Sequence, residues 1–269
     1  MKKYPFLFLV FLIPFIGISQ LFTPGAGVTD IDGNTYQTII INGQEWIAEN
    51  LRTTKYANGD PIPNVTDDTQ WSNLATGAWA HYNNDSQYEN PYGKLYNWYT
   101  VADPRNVCPT GWHVPTDSEY TLLTDYLGGE LVAGTKMKNT SGWYNNGNGT
   151  NESGFSGLPG GFRIYYFESV GYDGRWWSST EYNVGVQVWY RGLSCFQSDL
   201  IRLTQFENNG YSVRCLNNST LSINEIIPSL KTLIKVFNVM GIETPICPNE
   251  LQFYLYSDGS IEKKMVIEK

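Results

Sequence analysis

Three groups of side chains in this 269-residue chain have the types and spacing to do chemistry. Trp176-Trp177 followed by Glu181 supply the parts of a sugar platform: an aromatic face for a pyranose ring and a carboxylate to accept its hydroxyls. Adjacent strand side chains point to opposite faces, so only one of the two indoles fits a given core, and core packing is the competing reading of the pair. The run Asn145 to Glu152, with Asn151 and Glu152 at its end, gathers carboxamide and carboxylate oxygens suited to a hard cation such as calcium; a loop held by Asx-turns is the plainer account. Asp30-x-Asp32-x-Asn34 begins like a calcium loop, but Thr35 stands where glycine is needed and Ile41 where glutamate is needed, so it reads as a hairpin turn. The histidines, His81 and His113, lie far apart, no CxxC pair, GxSxG elbow or phosphate-cradling glycine loop occurs, and no cofactor is implied. Calcium has only that oxygen set in its favour. The expectation is a protein that is not an enzyme.

The elements that position these residues begin at Thr116-x-x-Glu119, a capping box in which hydroxyl and carboxylate satisfy each other's backbone amides. Pro115 holds the approach extended, and Tyr120, Leu123 and Leu127 recur at helical spacing, with Leu122 and Tyr126 widening the stripe. Gly128-Gly129 supplies the stop. Asp32-Gly33 turns a hairpin between Val28–Ile31 and Thr35–Ile41, and Asn42-Gly43 turns into Glu45–Ala48. Strand-like runs follow at 162–167, 176–180, 184–193 and 211–216, with a long glycine- and asparagine-rich stretch from Gly142 to Gly161. Arg163 and Arg214 sit in aromatic strands and read as buried ion-pairing residues.

Composition sets the setting. Lys2 and Lys3 precede an apolar stretch, Phe6 to Ile18, too short for a comfortable membrane span, and Ser19-Gln20 offers a cleavage region, so residues 1–20 read as a signal peptide. The formal net charge is −8, and −10 once those two lysines leave, which disfavours nucleic acid and anionic membrane as partners. Aromatics at 15% against charged residues at 16% suit an extracellular, β-rich fold or a stacking surface. Four cysteines, Cys108, Cys195, Cys215 and Cys247, point to disulfide bonding in an exported chain, with three complete pairings open. A polar stretch near 218–228 reads as a linker, and residues 229–269 as a small all-β tail of three strands, with Asp258-Gly259 turning the last two.

Two resemblances follow from the motifs. The islands Asp30-Ile-Asp-Gly-Asn-Thr-Tyr, Gln44-Glu-Trp-Ile-Ala-Glu-Asn-Leu, Tyr92-Gly-Lys-Leu-Tyr-Asn-Trp-Tyr, Cys108-Pro-Thr-Gly-Trp-His-Val-Pro-Thr-Asp, Asn151-Glu-Ser-Gly-Phe-Ser-Gly-Leu-Pro-Gly-Gly-Phe-Arg, Trp176-Trp-Ser-Ser-Thr-Glu and Gly210-Tyr-Ser-Val-Arg-Cys stand in the order of the Fibrobacter succinogenes major paralogous domain family. Residues 27–217 resemble that family, which looks related to the C-type-lectin-like fold and to formylglycine-generating enzymes. The resemblance implies an α+β domain with one loop-rich half and a Cys108–Cys215 disulfide. It leaves Cys195 and Cys247 undecided. The tail resembles the type A sorting domain of the type IX secretion system of Bacteroidetes, on Lys235-Val-Phe-Asn-Val-Met-Gly, Phe253-Tyr-Leu-Tyr-Ser-Asp-Gly-Ser and Ile261-Glu-Lys-Lys-Met-Val-Ile. It departs from the commoner pattern in the segment carrying Cys247. The implied protein is secreted or held at the outer cell surface, handled by that secretion machinery, and binds an extracellular glycan or a surface protein without catalysis. Its alternatives are a structural or adhesive protein-interaction module and a formylglycine-generating-type enzyme.

Overall fold

The computed structural model describes residues 20–219, 233–256 and 261–265. The expected signal segment apart from Gln20, the expected linker beyond Ser219 and the expected Asp258-Gly259 turn lie outside the described residues. The chain divides into two compact units at Thr220/Leu221.

The first unit mixes many short strands with few helices. One sheet runs, in spatial order, Thr23–Pro24, Thr38–Ile41, Gln44–Ile47, Leu216–Asn217 and Trp112–His113, all antiparallel. A second runs Phe167–Val170, Gly160–Arg163, Asp173–Asn183, Gln187–Ser194 and Ile201–Phe206. Its neighbours are antiparallel except for a parallel contact between Gly174 and Gly161. The expected single strand over 162–167 is thus a hairpin, because Tyr165 and Tyr166 are exposed at its turn. Val184 likewise sits in a turn before Gln187–Ser194 rather than in a strand.

The expected turn at Asp32-Gly33 is present, with Val28↔Tyr36 and Thr29↔Thr35 in register, but the expected strand Thr35–Ile41 divides: Thr35–Tyr36 stays in this two-stranded hairpin and Thr38–Ile41 joins the first five-stranded sheet. The Asp30 carboxylate accepts from the amides of Asp32 and Asn34, the Asn34 carboxamide and the Tyr36 hydroxyl at 2.7–3.0 Å. That is a turn filling its own acceptors. Asp32 in turn accepts from the Thr54 amide and pairs with Lys55 at 3.0 Å. Burial opposes its charge, but these donors win and hold its pKa at about 2.

The helix Asp117–Tyr126 starts on the full Thr116/Glu119 capping box and stops at Gly128 and Gly129, both at positive φ. Tyr120, Leu123 and Leu127 are buried as expected, whereas Leu122 and Tyr126 are 41% and 44% exposed: the buried stripe is narrower than the sequence pattern. Asp117 fastens the helix start to the second sheet by pairing with Arg191 at 2.8 Å and Arg202 at 2.7 Å. A second helix, Glu130–Met137, follows at once.

Two cores result. One packs Trp177, Tyr211, Trp79, Trp98 and Trp112 around the Cys108–Cys215 disulfide. The other packs Trp46, Tyr120, Phe155 and Trp176 with Leu123, Leu127 and Met137. The second unit is a three-stranded antiparallel sheet, Leu233–Phe237, Leu251–Tyr256 and Ile261–Met265. Its buried apolar cluster consists of Val236 and Tyr254 among the described residues, too little for a large core.

Candidate functional site

The long strand Asp173–Asn183 decides the fate of the expected sugar platform. Trp176 and Trp177 do point to opposite faces, yet both faces are covered and both residues are fully buried. Trp176 donates to Asn50 Oδ1 at 2.8 Å and meets the Phe155 ring edge-on. Trp177 donates to the Tyr96 carbonyl at 2.8 Å and stacks on Tyr211 with centroids 4.2 Å apart. Neither indole has a face left for a ligand, which corrects the platform reading. Glu181 lies past a register irregularity of the same strand and is exposed.

The asparagine-rich loop behaves as its plainer reading requires. Asn151 adopts positive φ and its side chain brackets Ser156, accepting from the Ser156 amide at 2.8 Å and donating to its hydroxyl at 3.0 Å. The Glu152 carbonyl accepts from the Leu21 amide at 2.8 Å, and the ring of Phe22 lies against Gly154. The oxygens of Asn151 are therefore spent inside the loop. Among the described residues, no group of three or more His, Cys, Asp or Glu side chains is placed to hold a metal ion.

The two arginines part company. Arg163 is buried and pairs with Asp68 at 2.8 Å beneath the Trp71 and Phe167 rings, as expected. Arg214 is equally buried, but its acceptors among the described residues are all neutral: Asn50 Oδ1 and the carbonyls of Ile47, Phe155 and Ser156. Burial lowers its pKa to about 9. This corrects the ion-pair expectation for Arg214. Cys195 and Cys247 are free thiols, and burial together with nearby Asp173 raises Cys195 above the ordinary thiol value.

What the fold does present to solvent is a ledge of three rings. Tyr144 and Tyr172 stack with centroids 4.5 Å apart and planes 30° apart, and Tyr172 meets Phe196 at 6.0 Å and 32°. Exposure is lowest for the middle ring and reaches 74% at Phe196. Backbone hydrogen bonds fix the three segments: Tyr144 donates to the Gly171 carbonyl at 2.8 Å, and Cys195 donates to the Tyr172 carbonyl at 2.8 Å. Asn145 and Asn146, both at positive φ and exposed, follow Tyr144 in the chain. Gly147 then lies so close to Cys195 that a Cβ there would stand 2.3 Å from its carbonyl oxygen. Only glycine lets the loop rest on the strand end at that point.

Sequence spacing could not reveal the ledge, because its rings come from three separate segments. The available signal was aromatic residues set among turn-formers, as in Gly171-Tyr172-Asp173 and Cys195-Phe196-Gln197-Ser198.

The Fibrobacter succinogenes major domain model matches residues 39–217, well over half of the chain. The chain belongs to that family. Its Fibrobacter succinogenes major domain comprises both five-stranded sheets except the Thr23–Pro24 strand, and all three ledge rings. No curated protein and no solved structure matches the chain. The disulfide implied by the family resemblance is present, joining Cys108 and Cys215 across a sequence separation of 107. No helix of the described residues is long and apolar enough to cross a membrane.

Proposed function

We propose that this chain is a secreted or cell-surface, non-catalytic protein whose Fibrobacter succinogenes major domain binds extracellular polysaccharide on the ledge Tyr144–Tyr172–Phe196. The observation carrying this reading is three adjacent, solvent-facing rings, with two exposed asparagines next in the chain after Tyr144. Aromatic faces bury the apolar face of a pyranose, and asparagine can both donate to and accept from its hydroxyls. The acidic balance fits a neutral glycan. The C-type-lectin-like assignment belongs to this proposal; the mixed architecture and the long loop-rich stretch support it. So does the transport route, in which residues 1–20 direct export and the three-stranded second unit serves as a type IX sorting domain.

The test is a glycan array with folded, disulfide-intact protein, with and without calcium, followed by titration of any hit against Tyr144→Ala and Phe196→Ala. Each variant is expected to weaken binding by about 2- to 12-fold, the worth of one aromatic contact. No binding to any glycan, or unchanged affinity in both variants, sinks the ledge.

A second reading, a structural or adhesive module that pairs with another protein, is favoured by one observation. Strand Ile201–Phe206 forms an edge of its sheet and exposes Leu203 and Phe206, 54% each. Such edges pair readily with an incoming strand. Binding to cells or outer-membrane extracts that excess free sugar does not displace marks this alternative.

A further inference from the structure

Away from the ledge, a concavity of about 430 Å³ opens over Arg214, and none of the ledge rings lines it. It is bordered by Gln37, Glu49, Arg52, Asn90 and Asn139. Arg214 at its base is 1% exposed. A guanidinium carries five N–H groups, two of them on Nη2, and Arg214 Nη2 makes a single long contact, 3.5 Å to the Ser156 carbonyl. A buried cation held only by neutral acceptors is the setting in which an added anion gains most, through a short charge-assisted hydrogen bond.

The charges around the cleft favour that anion. Glu49 is its one lining carboxylate, and Arg52 pairs with it at 2.8 Å. Two guanidinium groups against one carboxylate leave a local excess of positive charge in a chain of net charge −8. At physiological salt the screening length is about 8 Å, so the adjacent cations outweigh the distant acids. The lining also selects a class of anion. The side chains of Gln37 and Asn90 are exposed and that of Asn139 is half-buried, all carboxamides that read hydroxyl groups, while apolar lining is limited to Ala48, Pro91 and Leu158.

The wall bearing Asn90 is braced. Buried Lys94 pairs with Glu89 at 2.7 Å and donates to the Arg52 carbonyl at 2.7 Å, tying the short helix Glu89–Tyr92 to the base of the cleft. Gly93, at φ 72°, lets the chain pass where a Cβ would stand 2.7 Å from the Leu51 carbonyl oxygen.

We propose that this cleft is a second binding site, specific for a sugar carboxylate: a uronate residue whose carboxylate meets Arg214 Nη2 and whose hydroxyls meet Gln37, Asn90 and Asn139. The site is independent of the ledge. The test titrates the full chain with a galacturonate trimer, a neutral galactose trimer and a short peptide with a free C-terminal carboxylate, reading heat and the Arg214 guanidinium ¹⁵N resonances. The uronate is expected to bind at least ~10-fold more tightly than the neutral trimer, as one charge-assisted bond requires. Glu49→Gln removes the competing carboxylate and is expected to tighten uronate binding by about two- to fivefold, while Arg52→Gln weakens it by a similar factor. The same titrations on Tyr144→Ala/Phe196→Ala are expected to keep the preference for the uronate over the neutral trimer, which separates this site from the ledge. Equal binding of the neutral trimer, binding of the peptide as tightly as the uronate, or indifference to both charge variants overturns the proposal.

Discussion

Removing the Cys108–Cys215 cross-link is the perturbation whose size the structure sets most directly. The bridge joins the segment leading into the capped helix to the residue before Leu216–Asn217, the strand that pairs with Trp112–His113. It therefore ties together two stretches that are otherwise far apart in sequence. A closed loop of about 107 residues costs the unfolded chain some 16 cal/mol/K, or roughly 4.8 kcal/mol at 25 °C, in the chain-entropy account. Both residues are at most 1% exposed, and Cys108→Ala/Cys215→Ala also loses packing there, so the double variant is expected to lose about 4–6 kcal/mol. For a unit of roughly 200 residues that corresponds to a fall in Tm of about 8–24 °C. Urea denaturation followed by tryptophan fluorescence, on the double variant and on wild type under reductant, measures it. Reduced wild type should show the cross-link share alone and the double variant that share plus the lost packing, because Cys195 and Cys247 are already thiols. A loss below about 1 kcal/mol would refute the argument that this bridge restrains the unfolded chain.

Two further outcomes test local features. Gly134→Ala inside Glu130–Met137 would ordinarily stabilise a helix by up to about 1 kcal/mol, but its Cβ would stand 2.2 Å from the Asp199 carbonyl oxygen, so the sign reverses and a loss of about 1–3 kcal/mol is expected in thermal unfolding. His113 Nε2 lies 3.1 Å from both Glu119 oxygens; burial opposes its charge, yet the Glu119 and Asn218 contacts raise its pKa above the ordinary value. Its stabilising contribution is then complete below about pH 6.5 and lost as pH rises through the raised folded-state value. Tm should therefore fall more between pH 6 and 8 for wild type than for His113→Gln, and equal slopes would contradict the assignment.

Local signals were legible where they answer to local physics. The capping box, the Gly128-Gly129 stop and the Asp32-Gly33 turn each depend on residues within a few positions and stand as read, although the strands flanking that turn are shorter than expected. The second helix escaped notice because Gly134 interrupts its pattern, and that glycine exists for a distant reason: the Ser198–Asp199 backbone passes against it. The tryptophan pair was half legible. Alternation placed the two indoles on opposite faces, but whether the second face meets water or another core depends on chain far from either residue. Arg214 shows the same limit, since a sequence marks a cation without saying whether a carboxylate or a ring of carbonyls will meet it. The ledge rings at 144, 172 and 196 share no periodicity, because turn-borne side chains converge through hydrogen bonds that link separate segments.

The stitching of Leu21 and Phe22 onto the Glu152–Gly154 bend would give any trimming of the proposed leader a thermodynamic weight. If a peptidase cuts just before Leu21, it leaves both residues in place, and the new ammonium group falls at the nitrogen that reaches the Glu152 carbonyl. A cut two residues further along would strip that fastening and loosen the bend whose Phe155 carbonyl holds Arg214. Affinity tags belong on the far side of this seam, and preparations whose first residue differs should be compared as different proteins.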